Sequence, residues 1–225
     1  MFDRTISLIG IDKYNKIKNS NILVLGIGGV GGYAVEALVR SGIENITIVD
    51  YDKIDITNIN RQIIATNENI GRYKTEEFKN RILSINNNVK VKEINEKINE
   101  NNIDILFEDN CDFIVDACDT LSVKKILIKE CKNRNINLIT VCGMGKRLNP
   151  SLVKICDIKD TSYDPLAKAL RKYIKDEKIK RKIPCIFSEE IPIKADNNVI
   201  ASMMMVPSTA GIMAAYYVID KIINT

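Results

Sequence analysis

The chain has 225 residues, 45% of them hydrophobic and 28% charged, with 33 Lys+Arg, 29 Asp+Glu and no histidine. Histidine is the usual general base near neutral pH and the commonest metal ligand. Its absence excludes Ser-His-Asp and Cys-His triads, histidine-zinc hydrolases and histidine-based proton shuttles. Any chemistry must therefore depend on other side chains or on a bound cofactor. The net charge of +4 allows an anionic partner without requiring one.

Apolar runs that are typical of buried strands alternate with helical patterns along residues 1–150. The predicted strands cover residues 22–25, 46–50, 89–94, 113–116 and 138–141, and the predicted helices cover residues 33–41, 73–85 and 121–134. This alternation predicts an α/β fold, a Rossmann-like and mostly parallel sheet with helices on both faces.

The pattern changes after residue 150. Strands are predicted at 152–158, 183–188 and 199–206, and helices at 165–175 and 209–223. We therefore expect a single domain over 1–225, in which a C-terminal extension (151–225) follows the Rossmann-like part (1–150). The most apolar stretch, 202–219, contains Pro207 and is interpreted as a buried strand and helix, not a membrane span. Without a targeting segment, the protein is expected to be cytoplasmic.

The six cysteines include no C-x-x-C pair, which argues against a zinc ribbon or a thioredoxin-like site. They are expected to be reduced thiols, and Cys142 and Cys156 to be small core residues. Cys185 follows three basic residues, which could lower its pKa and make it nucleophilic. A structural role for Cys185 is the interpretation we favour.

A glycine-rich turn follows the first predicted strand and fits the pattern G-x-G-x-x-G. Its glycines are Gly26, Gly28, Gly29 and Gly31. Glycines let the backbone turn tightly and approach a phosphate, which the next helix binds through its N-terminal N–H groups. Asp50 ends the second strand, 19 residues after Gly31. A carboxylate at this position can accept hydrogen bonds from ribose hydroxyls. The alternative is tight helix–sheet packing alone.

The glycine loop by itself would suggest NAD or FAD, but the residues after the second strand favour ATP. These residues are Asp50, Asp52, Asn58, Asn60, Arg61 and Lys74. Phosphoryl chemistry needs such amide and cationic side chains to hold phosphates and offset developing charge. Asp119 follows the strand 113–116, and a carboxylate there could hold Mg²⁺ together with phosphate oxygens.

This set of residues resembles the adenylation site of the ubiquitin-activating-enzyme-like superfamily, which includes the ThiF and MoeB types. The resemblance runs from about residue 2 to the C-terminus. It implies that the glycine loop packs on ATP, that Asp50 binds ribose, and that Asn58, Arg61 and Lys74 hold the phosphates. It further implies that Asp119 coordinates Mg²⁺, and that Arg4 reaches the triphosphate bound by the other subunit of a homodimer.

Within that superfamily, the chain is similar to the tRNA threonylcarbamoyladenosine dehydratase branch. The matching segments include 57–63, 115–120, 164–168 and 187–190. The sulfur-carrier branches usually have two zinc-binding C-x-x-C pairs, which are absent here. The branch activates the carboxylate of a threonylcarbamoyl group on tRNA with ATP and closes a ring with net loss of water. A sulfur-relay protein partner is left open, and no membrane partner is expected.

A basic segment at 165–185 supports a tRNA partner independently of the resemblance. It carries a net charge of +6, so the rest of the chain sums to −2. The residues predicted to contact tRNA phosphates are Lys168, Arg171, Lys172, Lys175, Lys180, Arg181 and Lys182. A solvated, lysine-rich helix is the alternative interpretation.

Three other functions remain open from the sequence. An adenylyltransferase acting on the C-terminal carboxylate of a small carrier protein would use the same ATP site. A nicotinamide dehydrogenase is disfavoured by Arg61, Lys74 and Asp119. A non-catalytic nucleotide-binding module is disfavoured because no expected ATP-site residue is missing.

Overall fold

The computed structural model describes residues 1–194 and 201–224, and these form one seven-stranded sheet. The strands are β1 (Asn21–Leu25), β2 (Asn45–Val49), β3 (Lys90–Ile94), β4 (Phe113–Asp116), β5 (Asn137–Val141), β6 (Val153–Asp157) and β7 (Pro184–Ser188). Their order in the sheet is β3-β2-β1-β4-β5-β7-β6. Every pairing is parallel except β6 with β7, so the predicted, mostly parallel α/β sheet is confirmed.

Helices cover both faces of this sheet. They are α1 (Asp3–Ile9), α2 (Ile11–Asn19), α3 (Gly31–Ser41), α4 (Lys74–Ile85), α5 (Leu121–Asn133), α6 (Pro165–Asp176) and α7 (Met205–Asn224). One apolar core lies between the sheet and α2, α3, α4 and α7, and the other lies under α5 and α6. Within the described ranges, no helix is both long enough and apolar enough to cross a bilayer.

The strand predicted at 199–206 is wrong for its described part. Residues 201–204 form no strand, and α7 begins at Met205; residues 199 and 200 lie outside the described residues. Pro207 stands in the first turn of α7, where backbone N–H groups have no partner within the helix, so proline is tolerated there. The predicted helix 209–223 is confirmed as part of this longer helix.

The first two helices have no counterpart among the predicted elements. Helix α1 buries no residue, and α2 buries only Tyr14 and Ile17. Both helices are shorter than the windows of roughly 11–18 residues over which a helical period is recognised. Their place in the fold comes from packing, because α2 contacts α7.

The glycine loop connects β1 to α3 through an unusually close backbone approach. Gly26 adopts a φ of +81°, a conformation that side-chain-bearing residues rarely adopt. An ideal Cβ placed on Gly31 would lie 1.8 Å from the carbonyl oxygen of Gly26. The loop can therefore turn into α3 only if residue 31 has no side chain.

We predict that Gly31→Ala lowers the stability of the fold, because the loop must move to admit the methyl group. The expected cost is about 1–3 kcal/mol, and each kcal/mol lowers the melting temperature by roughly 2–4 °C in a chain of this size. Gly28→Ala is the matched control, since its Cβ would meet only the Gln62 side chain, with Nε2 at 3.6 Å and Cδ at 3.9 Å. Equal melting temperatures for the two variants by calorimetry would contradict this account of the loop.

Candidate active site

A pocket of about 490 Å³ opens at the carboxyl-terminal edge of β1, β2, β4 and β5, where ligands bind in open α/β sheets. Most of the residues predicted for the ATP site line it. These are Gly26, Gly28, Gly29, Asp50, Asp52, Asn58, Arg61, Lys74 and Asp119. The fold thus brings together site residues that are spread from Gly26 to Asp119 in the sequence. They come from the ends of β1, β2 and β4, the glycine loop and the start of α4.

The buried carboxylate of Asp50 links the glycine loop to the end of β2. Its Oδ2 accepts a hydrogen bond from Ile27 N–H at 3.0 Å, and its Oδ1 accepts one from Asp52 N–H at 2.9 Å. Lys74 Nζ, from the first residue of α4, lies 3.6 Å from Asp50 Oδ1 and 2.7 Å from Asp52 Oδ2. Burial raises the pKa of Asp50, and the charge of Lys74 partly offsets that rise.

A short 3-10 helix (Ile56–Asn58) and the turn after it supply the amide and guanidinium groups. Asp55 and Asn58 cap this helix reciprocally, which fixes Asn58 beside the pocket. Arg61 Nη1 donates to the carbonyl of Thr57 at 2.8 Å and to Asn60 Oδ1 at 3.0 Å. Its aliphatic stem lies along Gly29, where a Cβ would meet Arg61 Cγ at 3.3 Å. Arg61 is therefore held against the glycine loop.

Gln62 is a pocket residue that the sequence analysis did not assign. It is 6% exposed and lines the pocket, and its Oε1 has no hydrogen-bond partner within the described part of the chain. A buried amide oxygen without a partner is costly, and a ligand donor would satisfy it. The signal was its position directly after Arg61 in the same motif.

A buried ion pair anchors the loop that carries Asp119. Asp116 and Lys124 are both 0% exposed, with Lys124 Nζ 3.0 Å from Asp116 Oδ2. Thr140 Oγ1 donates to the same carboxylate at 2.6 Å. Together these groups fix the end of β4 against α5 and β5. Asp119 follows on the exposed loop beyond, where its carboxylate faces the pocket mouth.

Arg147 is a second residue that the sequence analysis missed, and no sequence signal marked it. It is 4% exposed and donates to the carbonyls of Gly143 at 2.6 Å and Gly145 at 3.1 Å. Its Nη2 also lies 3.6 Å from Asp164 Oδ2. Arg147 thus holds the loop after β5, which forms one wall of the pocket.

Three residues predicted for the ATP site lie outside the pocket lining. Gly31 packs below the loop, and Asn60 Nδ2 donates to the carbonyl of Ser202 at 2.9 Å. Arg4 is exposed on α1 and does not line the pocket of its own chain.

The basic segment, 165–185, runs from the carboxyl-terminal ends of the strands to their amino-terminal ends. Leu166, in the first turn of α6, lines the pocket, and Lys168, Lys172 and Lys175 are exposed along the helix. Arg171 is partly buried, and its Nη1 donates to the carbonyl and the hydroxyl of Thr161. The predicted tRNA-contacting residues therefore do not form one compact patch.

The last three basic residues line a different and larger cavity of about 850 Å³, which we call the amino-edge groove. It lies at the amino-terminal edge of β4, β5 and β7. Its charged lining residues are Lys132, Asp157, Lys159, Asp160, Lys180, Arg181, Lys182 and Lys221.

The thiols near the pocket are not activated. Burial raises the pKa of Cys118, which lines the pocket. Cys185 is 0% exposed in β7, and contact with the Cys142 and Cys156 thiols raises its pKa. Cys142 is buried as expected, whereas Cys156 is only half-buried. The geometry favours the structural interpretation of Cys185.

A parallel sheet with a glycine loop, a buried acid after β2 and cationic groups around the loop defines an α/β nucleotide-binding protein. The chain belongs to the ThiF family, whose model matches residues 2–222.

Several relatives match over most of their length. The tRNA threonylcarbamoyladenosine dehydratase of Bacillus subtilis is 37% identical over 97% of this chain and 93% of its own. The Haemophilus influenzae protein of the same name is 34% identical over 95% of this chain and 89% of its own. The structure of the E. coli tRNA N6-threonylcarbamoyladenosine dehydratase in complex with ATP has a TM-score of 0.93 and 32% identity. It covers 99% of this chain and 93% of that one.

We predict that adenosine binding weakens as the pH falls and that the loss begins above the pH at which an ordinary Asp protonates. Burial raises the pKa of Asp50. In the ribose-binding role predicted for Asp50, both carboxylate oxygens would accept hydrogen bonds from ribose hydroxyls, and protonation would turn one of them into a donor. Lys74→Met removes the offsetting charge, so its loss of binding should begin at a still higher pH. Calorimetric titration with adenosine, which has no phosphates, measures both midpoints.

Asp50→Asn is the control for this titration, because it removes the titrating group. Its binding should be weaker and independent of pH over the same range. An unchanged midpoint in Lys74→Met would show that Lys74 does not set the charge state of Asp50.

Proposed function

We propose that this protein is an ATP-dependent tRNA threonylcarbamoyladenosine dehydratase. It adenylates the carboxylate of threonylcarbamoyladenosine in tRNA, closes a ring with net loss of water, and releases AMP and pyrophosphate. The observation that carries the proposal is one pocket that joins the glycine loop, the Asp50–Lys74 pair, Arg61 and Asp119. That pocket stands in a chain that matches dehydratases over nearly its whole length.

ATP fits the pocket with its ribose at Asp50 and its phosphates along the glycine loop. The backbone at Gly28 and Gly29 lines the pocket beside the N-terminus of α3, a place where N–H groups and the helix dipole favour anions. Arg61 lies against the same loop, and Asn58 and Lys74 line the same pocket. These groups would position the α-phosphate and offset charge as pyrophosphate departs.

The residues at the pocket mouth fit Mg²⁺ carried mainly by phosphate oxygens. Asp119 offers an exposed carboxylate there, and in residues 1–194 and 201–224 no three His, Cys, Asp or Glu side chains converge on a metal site. Mg²⁺ commonly takes one or two carboxylates together with substrate phosphates and water. When bound, it would neutralise charge on the departing pyrophosphate.

The reaction balances without a histidine. The substrate carboxylate is ionised at neutral pH, and one of its oxygens bonds to the α-phosphorus while the bond to pyrophosphate breaks. A nitrogen of the threonylcarbamoyl group then attacks the activated carbonyl carbon. The ring closes as AMP leaves with the former carboxylate oxygen, and the nitrogen loses its proton to solvent or to the departing phosphate.

Charge on the surface supports a tRNA partner. Lys168, Lys172 and Lys175 form an exposed row on α6, which begins at the pocket. Contacts from such residues to phosphates would position tRNA without reading its sequence. We place this activity in the cytoplasm and in one adenylation domain over 1–225. A sulfur-relay partner stays a prediction.

An apolar face supports a homodimer. Met205, Ile212 and Tyr216 follow one stripe of α7 and are 42%, 53% and 61% exposed. A helix that is apolar all round is normally buried, so this stripe needs a partner. In such a dimer, Arg4 would act at the pocket of the other subunit.

Substrate dependence tests the proposed function. The protein is incubated with Mg-ATP and either tRNA bearing threonylcarbamoyladenosine or candidate ubiquitin-like carrier proteins, and AMP and pyrophosphate are followed. Release that depends on tRNA, with a cyclised nucleoside in the digested product, is expected. Release that depends on carrier protein alone would establish the adenylyltransferase alternative instead.

We predict that Arg61→Ala and Asp119→Ala each abolish pyrophosphate release. The first removes a cation that would offset charge on the triphosphate, and the second removes the carboxylate that would hold Mg²⁺ there. Arg72→Ala is the matched control, since this exposed arginine pairs with Glu77 and does not line the pocket. Near-normal turnover in either site variant, measured by coupled pyrophosphate assay, would overturn the assignment of these two roles.

Mixed dimers test whether Arg4 acts across the interface. Arg4→Ala and Arg61→Ala should each be inactive as homodimers. Mixing them should restore about one quarter of the wild-type rate, because half of the dimers are mixed and each has one complete site. If Arg4 acts on its own chain, mixing restores nothing, and the proposal of action in trans is lost.

A further inference from the structure

A second reactive feature lies in the amino-edge groove, away from the candidate active site. Six basic side chains and only two acidic ones line this groove. Two cysteines also line it, Cys131 and Cys156. Cys131 is 2% exposed, and burial raises its pKa to about 12, so it is a poor nucleophile. Cys156 is half-buried and is the thiol that the groove presents.

Cys156 faces a second thiol directly across the sheet. It pairs with Cys185 in the antiparallel register of β6 and β7, and the two Sγ atoms lie 3.7 Å apart. Two residues along, Ile158 N–H donates to the carbonyl of Ile183, so the alternation of the ladder makes Cys156 and Cys185 a hydrogen-bonded pair. Cα atoms of such pairs lie about 5.5 Å apart, within the roughly 4.4–6.8 Å range of disulfides. Their Cβ atoms lie at the wide end of about 4.5–5.5 Å, so formation of the bond requires the edge strand β6 to move slightly closer to β7.

The two thiols differ in access and in acidity. Cys185 is completely buried, and contact with the Cys142 and Cys156 thiols raises its pKa. The hydrogen bond with Cys185 lowers the pKa of Cys156. Burial and the carboxylates of Asp157, Asp160 and Glu189 raise it, but the net shift is downward. The Cys156 sulfur is therefore both the more accessible one and the better nucleophile. The buried Cys185 sulfur lies 3.7 Å from it.

We propose that Cys156 is a thiol–disulfide exchange site for anionic organic disulfides, with Cys185 as the resolving thiol. The sulfur of Cys156 bonds to one sulfur of the ligand, whose S–S bond breaks and releases a thiolate. Cys185 sulfur then attacks Cys156 sulfur and expels the second thiolate, and both protein protons go to solvent or the leaving thiolates. The two protein thiols lose two electrons, and the organic disulfide becomes two thiols.

The net positive charge of the amino-edge groove favours anionic disulfides over neutral ones. Lys180 and Lys182 are exposed at the groove that contains Cys156, and Lys132 and Lys159 add to the same lining. Fixed positive charge around a cleft raises the local concentration and association rate of anions, and salt screens this effect. A carboxylate-bearing disulfide should therefore react faster than a neutral one.

Exchange with 5,5′-dithiobis(2-nitrobenzoate) on the folded protein tests the thiol assignment. We expect wild type to release two equivalents of thionitrobenzoate and to gain a link between Cys156 and Cys185, read by peptide mass mapping. Cys185→Ser should release one equivalent and keep the mixed disulfide on Cys156, and Cys156→Ser should lose the fast phase. Cys111→Ser is the control and should behave like wild type, because burial raises the Cys111 pKa to about 11.

Charge dependence is tested by Lys180→Gln/Lys182→Gln, with Lys168→Gln/Lys172→Gln as the equal-charge control on α6. At low salt the first pair should slow the anionic probe roughly tenfold and leave neutral 4,4′-dithiodipyridine unaffected, while the control pair slows neither. First modification at a thiol other than Cys156, or a mixed disulfide that persists in wild type, would overturn the site. Equal slowing of both probes would overturn the ligand class.

Discussion

The buried carboxylate of Asp50 accepts hydrogen bonds from Ile27 N–H and Asp52 N–H and lies 3.6 Å from Lys74 Nζ. These contacts join the glycine loop, the end of β2 and the first residue of α4, which are far apart in the sequence. A buried carboxylate is tolerated only with such partners, because desolvation otherwise favours its neutral form. The Asp50 carboxylate thus holds three parts of the pocket together and also places a negative charge inside it.

The absence of histidine fits this design. Adenylation of a carboxylate needs no general base, because the nucleophile is already ionised at neutral pH. What it needs is alignment and compensation of charge on the departing pyrophosphate. Backbone N–H groups at the start of α3, the Arg61 guanidinium and the Lys74 ammonium are suited to both tasks. Ring closure releases a proton, which the departing phosphate or solvent can take.

The sequence was most informative at positions where the local backbone geometry or burial allows only a few residue types. The glycine loop, Asp50 and the alternating elements up to β5 could be predicted because close backbone approach and buried strands restrict residue choice. Arg147 could not be assigned, since its role arises from contacts that only the folded chain makes. Gln62 was missed although its place directly after Arg61 was a signal in the sequence. The strand predicted at 199–206 is wrong over 201–206, because the apolar residues that precede and begin α7 resemble a strand in the sequence. The cationic segment looked continuous, but folding divides it between two edges of the sheet.

Transfer of a labelled oxygen tests the central claim, that this pocket directs a substrate carboxylate to the α-phosphate of ATP. The threonylcarbamoyl carboxylate of the tRNA is enriched in ¹⁸O, and the nucleotide products are analysed by mass spectrometry after one turnover in unlabelled water. One ¹⁸O atom is expected in the phosphate of AMP and none in pyrophosphate. Label in inorganic phosphate together with ADP, or AMP without label, would contradict it.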